Sequence, residues 1–372
     1  MHVPLCLRKC RYCDFYSVPV EGSAASAYVE AAGKELALRG AVLRAPLASA
    51  FLGGGTPTVL GPGPLAGLLS AVAPLAGPQT EFTVEANPGT VTPSIADVLV
   101  RSGVNRMSLG AQSFEAGELR TLGRAHTAED VTAAVRTLRA AGIRNLGLDL
   151  IYGIPGQTLP SWTASLKAAL DLGLEHLSCY ALSVEEGTPL WRDVRAGLTA
   201  PMDDSLQKEC YRAAIEAAAR EGLEHYEISN FARPGRRCRH NLTYWHNEPY
   251  LGIGPAAASY VGGVRRTNRP DLEAYLRAVG AGEDPPHEEE RLGKRMTMAE
   301  TMMLGLRLIE GVARAGFAAR FGPDATEAFP VSLNRHRELG SLLVSGTHIR
   351  VAPDALFVCD EVLADIIAEG AR

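Results

Sequence analysis

The sequence predicts an α/β protein: a parallel β/α barrel, partial or complete, followed by a helical module of winged-helix type. Three observations predict it. From the start to about residue 182, short apolar runs alternate with segments of helical length, the pattern of βαβ units around a parallel sheet. Gly53-Gly54-Gly55, Glu85, Gln112 and Asp149 fall just past the ends of the expected strands, where parallel barrels place their active sites. Polar residues after several strands, rather than at one crevice, favour a barrel over a doubly wound sheet. From about 291 onward the pattern turns to helices followed by a hairpin.

In chain order, the first element is a loop carrying Cys6, Cys10 and Cys13 as C-x3-C-x2-C, with no fourth cysteine close behind. A complete protein-ligated [4Fe–4S] site takes four thiolates, so three leave one iron open to a small molecule. Zinc is disfavoured, because its paired C-x2-C units recur further along a chain. Arg8, Lys9 and Arg11 would stabilise thiolates and an electron-rich cluster.

Strands are expected at 48–52, 81–85, 106–110, 145–152 and 176–182, and helices at 24–40, 63–73, 93–102, 128–141 and 160–172. Thr92-Pro93 and Thr127-Ala128-Glu129-Asp130 read as helix starts, Gly142 and Gly173 as stops. A helix at about 203–221 follows. Residues 233–260 show little periodicity and read as an ordered functional loop. Residues 280–290, with Pro285-Pro286 and Glu288-Glu289-Glu290, read as a linker. The last part is expected to hold helices at 297–309, 312–321, 331–340 and 360–369, with strands near 341–351 and 355–358. The domains are thus expected at 1–200, 201–290 and 291–372.

Length and composition narrow the function. The 372 residues allow two or three domains, and 46 % hydrophobic with 21 % charged residues is ordinary for a globular protein. A net charge of −5 gives no footprint for nucleic acid or an anionic membrane. The C-terminal module carries ten Lys/Arg against ten Asp/Glu from Arg291 onward, a poor phosphate binder. The apolar run 65–77 is too short to span a bilayer and contains Pro74, and the opening lacks a signal-peptide pattern. Seven cysteines, four of them scattered at Cys179, Cys210, Cys238 and Cys359, are not a disulfide framework and suit a reducing cytoplasm.

The cysteine triplet, Gly53-Gly54-Gly55-Thr56-Pro57-Thr58 and Val84-Glu85-Ala86-Asn87-Pro88 together resemble the radical S-adenosylmethionine superfamily. Alone, the glycine run reads as an ordinary strand-end turn; beside the triplet it reads as backbone brought close to a ligand. The resemblance implies a partial (β/α)6 barrel and a [4Fe–4S] cluster on Cys6, Cys10 and Cys13. It also implies an open iron chelated by the methionine amino and carboxylate groups of S-adenosylmethionine.

Met107-Ser108-Leu109-Gly110-Ala111-Gln112-Ser113-Phe114 and Leu148-Asp149-Leu150-Ile151-Tyr152-Gly153-Ile154-Pro155-Gly156-Gln157-Thr158 are similar to the oxygen-independent coproporphyrinogen III oxidase family. That likeness runs through Ala181, His240 and Gly252-Ile253-Gly254 to the C-terminal helices, and it implies a first barrel strand that is clipped here, since only five residues precede Cys6. It implies S-adenosylmethionine sites lined by Tyr12, Gly54, Gly55, Thr56, Glu85, Gln112, Arg124, Asp149 and Ala181. The residue types suit that: carboxylates accept from ribose hydroxyls or an ammonium group, and Arg124 can pair with a carboxylate. Taken singly, Arg124 and Asp149 read as well as a structural ion pair.

Two departures turn the reading. Phe15 stands where the oxidases keep a fourth cysteine, C-x3-C-x2-C-x-C, and their longer N-terminal extension is not seen. His240-Asn241-Leu242-Thr243-Tyr244-Trp245 matches the H-N-x-x-Y-W signature of the haem chaperone branch. The branch implies haem as a ligand, haem-acceptor apo-proteins as partners, and it allows a homodimer. An imidazole can ligate haem iron, with Tyr244 and Trp245 as flat surface beside a porphyrin. An anchoring turn is the alternative role for His240, and His225, His246 and Cys238 are other candidate ligands. Whether the chain is an enzyme stays open, decarboxylation of coproporphyrinogen III being the rival activity.

Overall fold

The computed structural model describes residues 1–371. Its centre is an eight-stranded sheet. Six strands run parallel: β1 (His2–Val3), β2 (Ser49–Gly54), β3 (Glu81–Ala86), β4 (Arg106–Gln112), β5 (Asn145–Tyr152) and β6 (His176–Ala181). Two short strands, β7 (Glu224–Glu227) and β8 (Asn230–Ala232), extend it antiparallel in the order β6-β8-β7. The sheet is an open arc, so the barrel is partial. The first strand is two residues long, short as expected, and pairs with the end of β2.

Alternation along the strands separates core from site. Met107, Leu109 and Ala111 on β4, and Leu146, Leu148 and Leu150 on β5, are fully buried. On the opposite parity, Arg106, Ser108, Gly110 and Gln112, and Asp149 and Ile151, face the hollow of the arc. A period of two assigns each set to one face. Helices Ala24–Arg39, Pro62–Val72, Pro93–Arg101, Ala128–Ala141 and Leu159–Leu170 connect the strands and fall within two residues of expectation. Thr92 caps Ile95 N–H at 3.3 Å, and Thr127 and Asp130 exchange a capping box before Gly142, at φ 105°, ends that helix. Each fully buried leucine adds about 2 kcal/mol of transfer free energy.

The segment 201–290 is tied to the first helix, Ala24–Arg39, through a buried carboxylate. Glu35 is fully buried and accepts from Arg39, Gly254 N–H (2.7 Å), Asn268 (2.9 Å) and Tyr275 (2.8 Å). A charge so deep persists only when every lone pair has a donor. Gly254, at φ 105°, lies where a Cβ would come within 2.4 Å of His2 O, which explains the glycine in Gly252-Ile253-Gly254.

Three expectations fail here. The stretch read as a linker contains the edge strand His287–Arg291, paired with Val264–Asn268. Arg265 and Arg266 stand opposite Glu290 and Glu289, and cross-strand charge pairing offsets the poor strand propensity of glutamate. The loop 233–260 contains the helix Arg239–Trp245. The strand expected near 355–358 is part of a 3-10 helix, Pro353–Val358, started by proline.

The C-terminal module holds helices Lys294–Gly305, Arg314–Phe321, Pro330–Glu338 and Cys359–Gly370 and a three-stranded sheet of Val312–Ala313, His348–Val351 and Leu342–Val344. It meets β7 through a bridge between Glu227 and Leu308. Among the described residues, no helix is long and apolar enough to cross a membrane.

Candidate functional site

A cleft of about 560 Å³ opens at the C-terminal ends of the parallel strands. Twelve of the thirteen residues singled out from the sequence line it: Cys6, Cys10, Tyr12, Cys13, Gly54, Gly55, Thr56, Glu85, Gln112, Arg124, Asp149 and Ala181. His240 does not.

The cysteine loop is held by few bonds. Leu5–Cys6 pairs with Val18–Pro19, Arg11 N–H reaches Leu122 O at 3.0 Å and Cys13 N–H reaches Cys10 O at 3.3 Å. All three thiols are free and partly exposed. Burial first, and the neighbouring Cys10 and Cys6 thiols as well, push the Cys13 thiol up. Arg124 donates to Cys10 Sγ at 3.4 Å, to Gly110 O at 2.5 Å and to Asn87. Asn87 donates to Thr56 Oγ1 at 3.0 Å, which lies 3.7 Å from Cys6 Sγ. One network therefore reaches two of the three sulfurs, and the sequence reading missed Asn87 at its middle although it lay in the quoted Val84–Pro88 motif. Among the described residues no three His, Cys, Asp or Glu side chains close on a single metal ion. A four-iron cube is wider than an ion and takes thiols spaced apart.

Gln112 has φ 65° at a register shift in β4. A bulge re-aims a side chain at the cost of strain, a combination that collects at functional sites. Gly54, at φ 100°, leaves no room for a Cβ, which would meet the His2 ring. Tyr12 packs on Leu122, Ile151 and Ile154, and burial raises its hydroxyl pKa.

Two carboxylates face the hollow. Glu85 accepts from Gly54 N–H at 3.0 Å; burial and then Asp149 push it up to about 7 from 4.5. Asp149 accepts from Ser108 at 3.2 Å, and burial raises it too. Between pH 4.5 and 7 the folded state holds a proton on Glu85 that the unfolded chain has released, so stability falls as pH rises through that window. Glu85→Gln is accordingly expected to match the wild type at pH 5 and exceed it at pH 8 by on the order of 2–3 kcal/mol in chemical denaturation. Parallel stability curves from pH 5 to 8 would remove this account of Glu85.

The helix Arg239–Trp245 forms a wall between two spaces. Cys238 and Asn241 face the cleft, whereas His240 and Tyr244 line a second pocket of about 310 Å³ with Phe15, Tyr16, Phe51 and Tyr250. The His240 ring stacks on Phe51 at 4.3 Å and meets Tyr244 edge-on at 4.7 Å. Burial lowers its pKa to about 3, so the imidazole is neutral with a lone pair free. Glu81 accepts Arg239 N–H at 3.1 Å and His240 N–H at 3.2 Å, capping the helix from β3. No sequence pattern announces a cap supplied from 158 residues away.

Trp245 departs from expectation. Its ring lies under Arg307 of the C-terminal module at 4.8 Å and lines neither of these two spaces, because the residue after Tyr244 points to another side of the helix. Of the other candidate haem ligands, His225 stacks on Phe231 at 4.6 Å and Cys238 is pushed up to about 12 by burial, its thiol turned to Glu81. His246 is exposed.

Comparison with known proteins agrees with this geometry. Residues 1–169 match the family model of the Radical SAM superfamily, and residues 294–358 that of the HemN C-terminal domain. "Heme chaperone HemW" of Lactococcus lactis subsp. lactis is 38% identical over 86% of this chain and 84% of its own length. Its namesake in Bacillus subtilis is 33% identical over 99% and 98%. The coproporphyrinogen III oxidase HemN from Escherichia coli superposes with a TM-score of 0.85, covering 98% of this chain and 88% of that one at 20% identity, a likeness of fold. The chain belongs to the radical SAM superfamily, in the HemW haem chaperone branch of the coproporphyrinogen III oxidase-like family.

Proposed function

We propose that the chain is a cytoplasmic haem chaperone that binds a [4Fe–4S] cluster, S-adenosylmethionine and haem, and passes the haem to apo-proteins. The observation that carries this reading is the double role of one helix: Arg239–Trp245 walls the cleft with Asn241 and the aromatic pocket with His240. A ligand in one space thus abuts the element that would hold a ligand in the other.

The residues fit the groups. Cys6, Cys10 and Cys13 are free thiols on the rim of one cleft, with Arg8, Lys9 and Arg124 beside them, and cationic neighbours favour thiolate ligands. The cluster supplies an open iron for chelation and an electron. Gly54 and Gly55 let backbone lie against a cofactor. Glu85 and Asp149 hold acceptors for ribose hydroxyls or an ammonium group, Gln112 both donates and accepts, and Tyr12, Thr56 and Ala181 complete the wall. The neutral His240 is available as a metal ligand without competing protonation. The adjacent pocket takes the edge of a macrocycle, with exposed Phe15 at its border. The proposed functional units are 1–200 for cluster and cofactor, 201–290 for haem and 291–372 as a support that clamps Trp245.

Anaerobic incubation of the reconstituted protein with coproporphyrinogen III, reductant and S-adenosylmethionine is expected to leave the tetrapyrrole unchanged; release of carbon dioxide with protoporphyrinogen would replace this reading by the oxidase. His240→Ala is expected to weaken haem binding at least about tenfold, as loss of a metal ligand does. An unaltered Soret band and affinity would transfer the role to another residue, exposed His246 first.

A further inference from the structure

Below Glu85 and Asp149, on the floor of the same cleft, two buried side chains have donors with nothing to donate to. Arg106 is 2% exposed; its Nη1 reaches Thr83 Oγ1 only at 3.5 Å, and its Nε has no partner among the described residues. His176 is 1% exposed and its Nδ1 likewise has no partner. Both line the cleft. Leaving such groups unpaired costs about 1–3 kcal/mol each, more when charged.

The tautomer of His176 follows from its neighbours. The Tyr226 hydroxyl accepts Cys238 N–H at 3.4 Å, and its own proton finds His176 Nε2 at 2.9 Å. Nε2 therefore accepts, and the ring hydrogen sits on Nδ1, a buried atom beside Gly147. The carboxylates near Arg106 are engaged elsewhere. Glu81 is taken up by the N–H groups of Arg239 and His240 and by the Cys238 thiol, and Asp149 by Ser108. Between these donors a side chain is missing. Gly147 lies in register with Ser108 and His176, and a Cβ there would sit 3.4 Å from His176 Nδ1 and 3.6 Å from Ser108 Oγ, filling space that is now open.

We propose that Arg106 and His176, around the gap left by Gly147, form a buried subsite that receives a ligand's carboxylate. A planar monoanion matches the guanidinium fork, and with Glu85 and Asp149 close above, a dianion would be repelled. The subsite deepens the reading of the cleft given above, and the carboxylate has two possible sources there: the amino-acid end of a second adenosyl ligand, the first being held at the open iron, or a propionate of a tetrapyrrole.

Binding to the full-length, cluster-reconstituted chain separates them. The probes are S-adenosylhomocysteine against its decarboxylated analogue, and mesoporphyrin IX against its dimethyl ester, each measured on wild type and Gly147→Ala. The alanine makes only ordinary contacts, so the variant is expected to melt like the wild type. In one pair the wild type should favour the carboxylate by about tenfold or more, and Gly147→Ala should shrink that preference to about threefold or less; the pair that responds names the source. Independently of any variant, the His176 Nδ1–H resonance should move with the carboxylate probe and not with its partner. Equal preference in both proteins for both pairs, or an unmoved resonance at saturation, overturns the subsite. Haem uptake followed at the Soret band can succeed while this test fails, so the two readings fall separately.

Discussion

Cys10→Ala is expected to leave a folded chain that cannot assemble a [4Fe–4S] cluster. Iron and sulfide after anaerobic reconstitution should drop to background, and the cluster's charge-transfer absorption should vanish. Two ligands and a nearby arginine do not hold a four-iron cube, whose ligands are thiolates. The fold should survive because Cys10 is partly exposed in a loop and packs in no core cluster, so the apo-protein should lose less than about 1 kcal/mol. Cys179→Ala is the contrast. Cys179 is 1% exposed on the core side of β6, and its loss should cost stability without touching the iron content. Full cluster assembly by Cys10→Ala would mean that the three thiols are not the ligands.

Gly55→Ala is expected to be strongly damaging for the sake of a single methyl group. A Cβ there would lie 2.6 Å from both Val3 O and Leu5 O, and neither backbone atom can swing away. Those carbonyls accept Gly55 N–H and Thr56 N–H, each at 2.8 Å, so relief would pull the Leu5–Cys6 segment off the end of β2. The cost should be about 3 kcal/mol or more, with cluster reconstitution impaired because Cys6 and Thr56 shift together. Gly63→Ala is the control: it lies in the first turn of Pro62–Val72 with nothing near its Cβ position, and alanine should be neutral or stabilising by about 0.5–1 kcal/mol. Equal stability of the two variants would refute the close approach.

How much of this was legible in the sequence depends on the range of the interactions. The five longer parallel strands and the helices between them follow from local signals, hydrophobic runs with Thr caps and Gly stops, and they appear within about two residues of expectation. Gly54, Gly55, Glu85, Gln112 and Asp149 were legible from strand ends and the three cysteines from their loop, whereas Tyr12, Thr56, Arg124 and Ala181 came from the family resemblance; strand parity alone decides that Asp149 faces the hollow while Leu148 and Leu150 do not. What was not legible depends on contacts between distant segments. Arg106 and His176 begin their strands as lone polar residues ahead of apolar runs, and nothing in the sequence says that Gly147 leaves a gap between them. The turn of Trp245 toward Arg307 depends on a helix that the aperiodic run 233–260 conceals. Glutamates at 288–290 argued for a linker until the arginines of the neighbouring strand stood opposite them.

The central claim is that a radical-SAM-type cleft and a haem site share one wall in this protein. It is tested most directly by titrating the cluster-reconstituted chain with haem under anaerobic conditions, with and without S-adenosylmethionine, and following the Soret band. The account predicts a saturable shift at one haem per chain whose midpoint changes when S-adenosylmethionine is present. A band that grows linearly with added haem under both conditions, as free haem does, would contradict it.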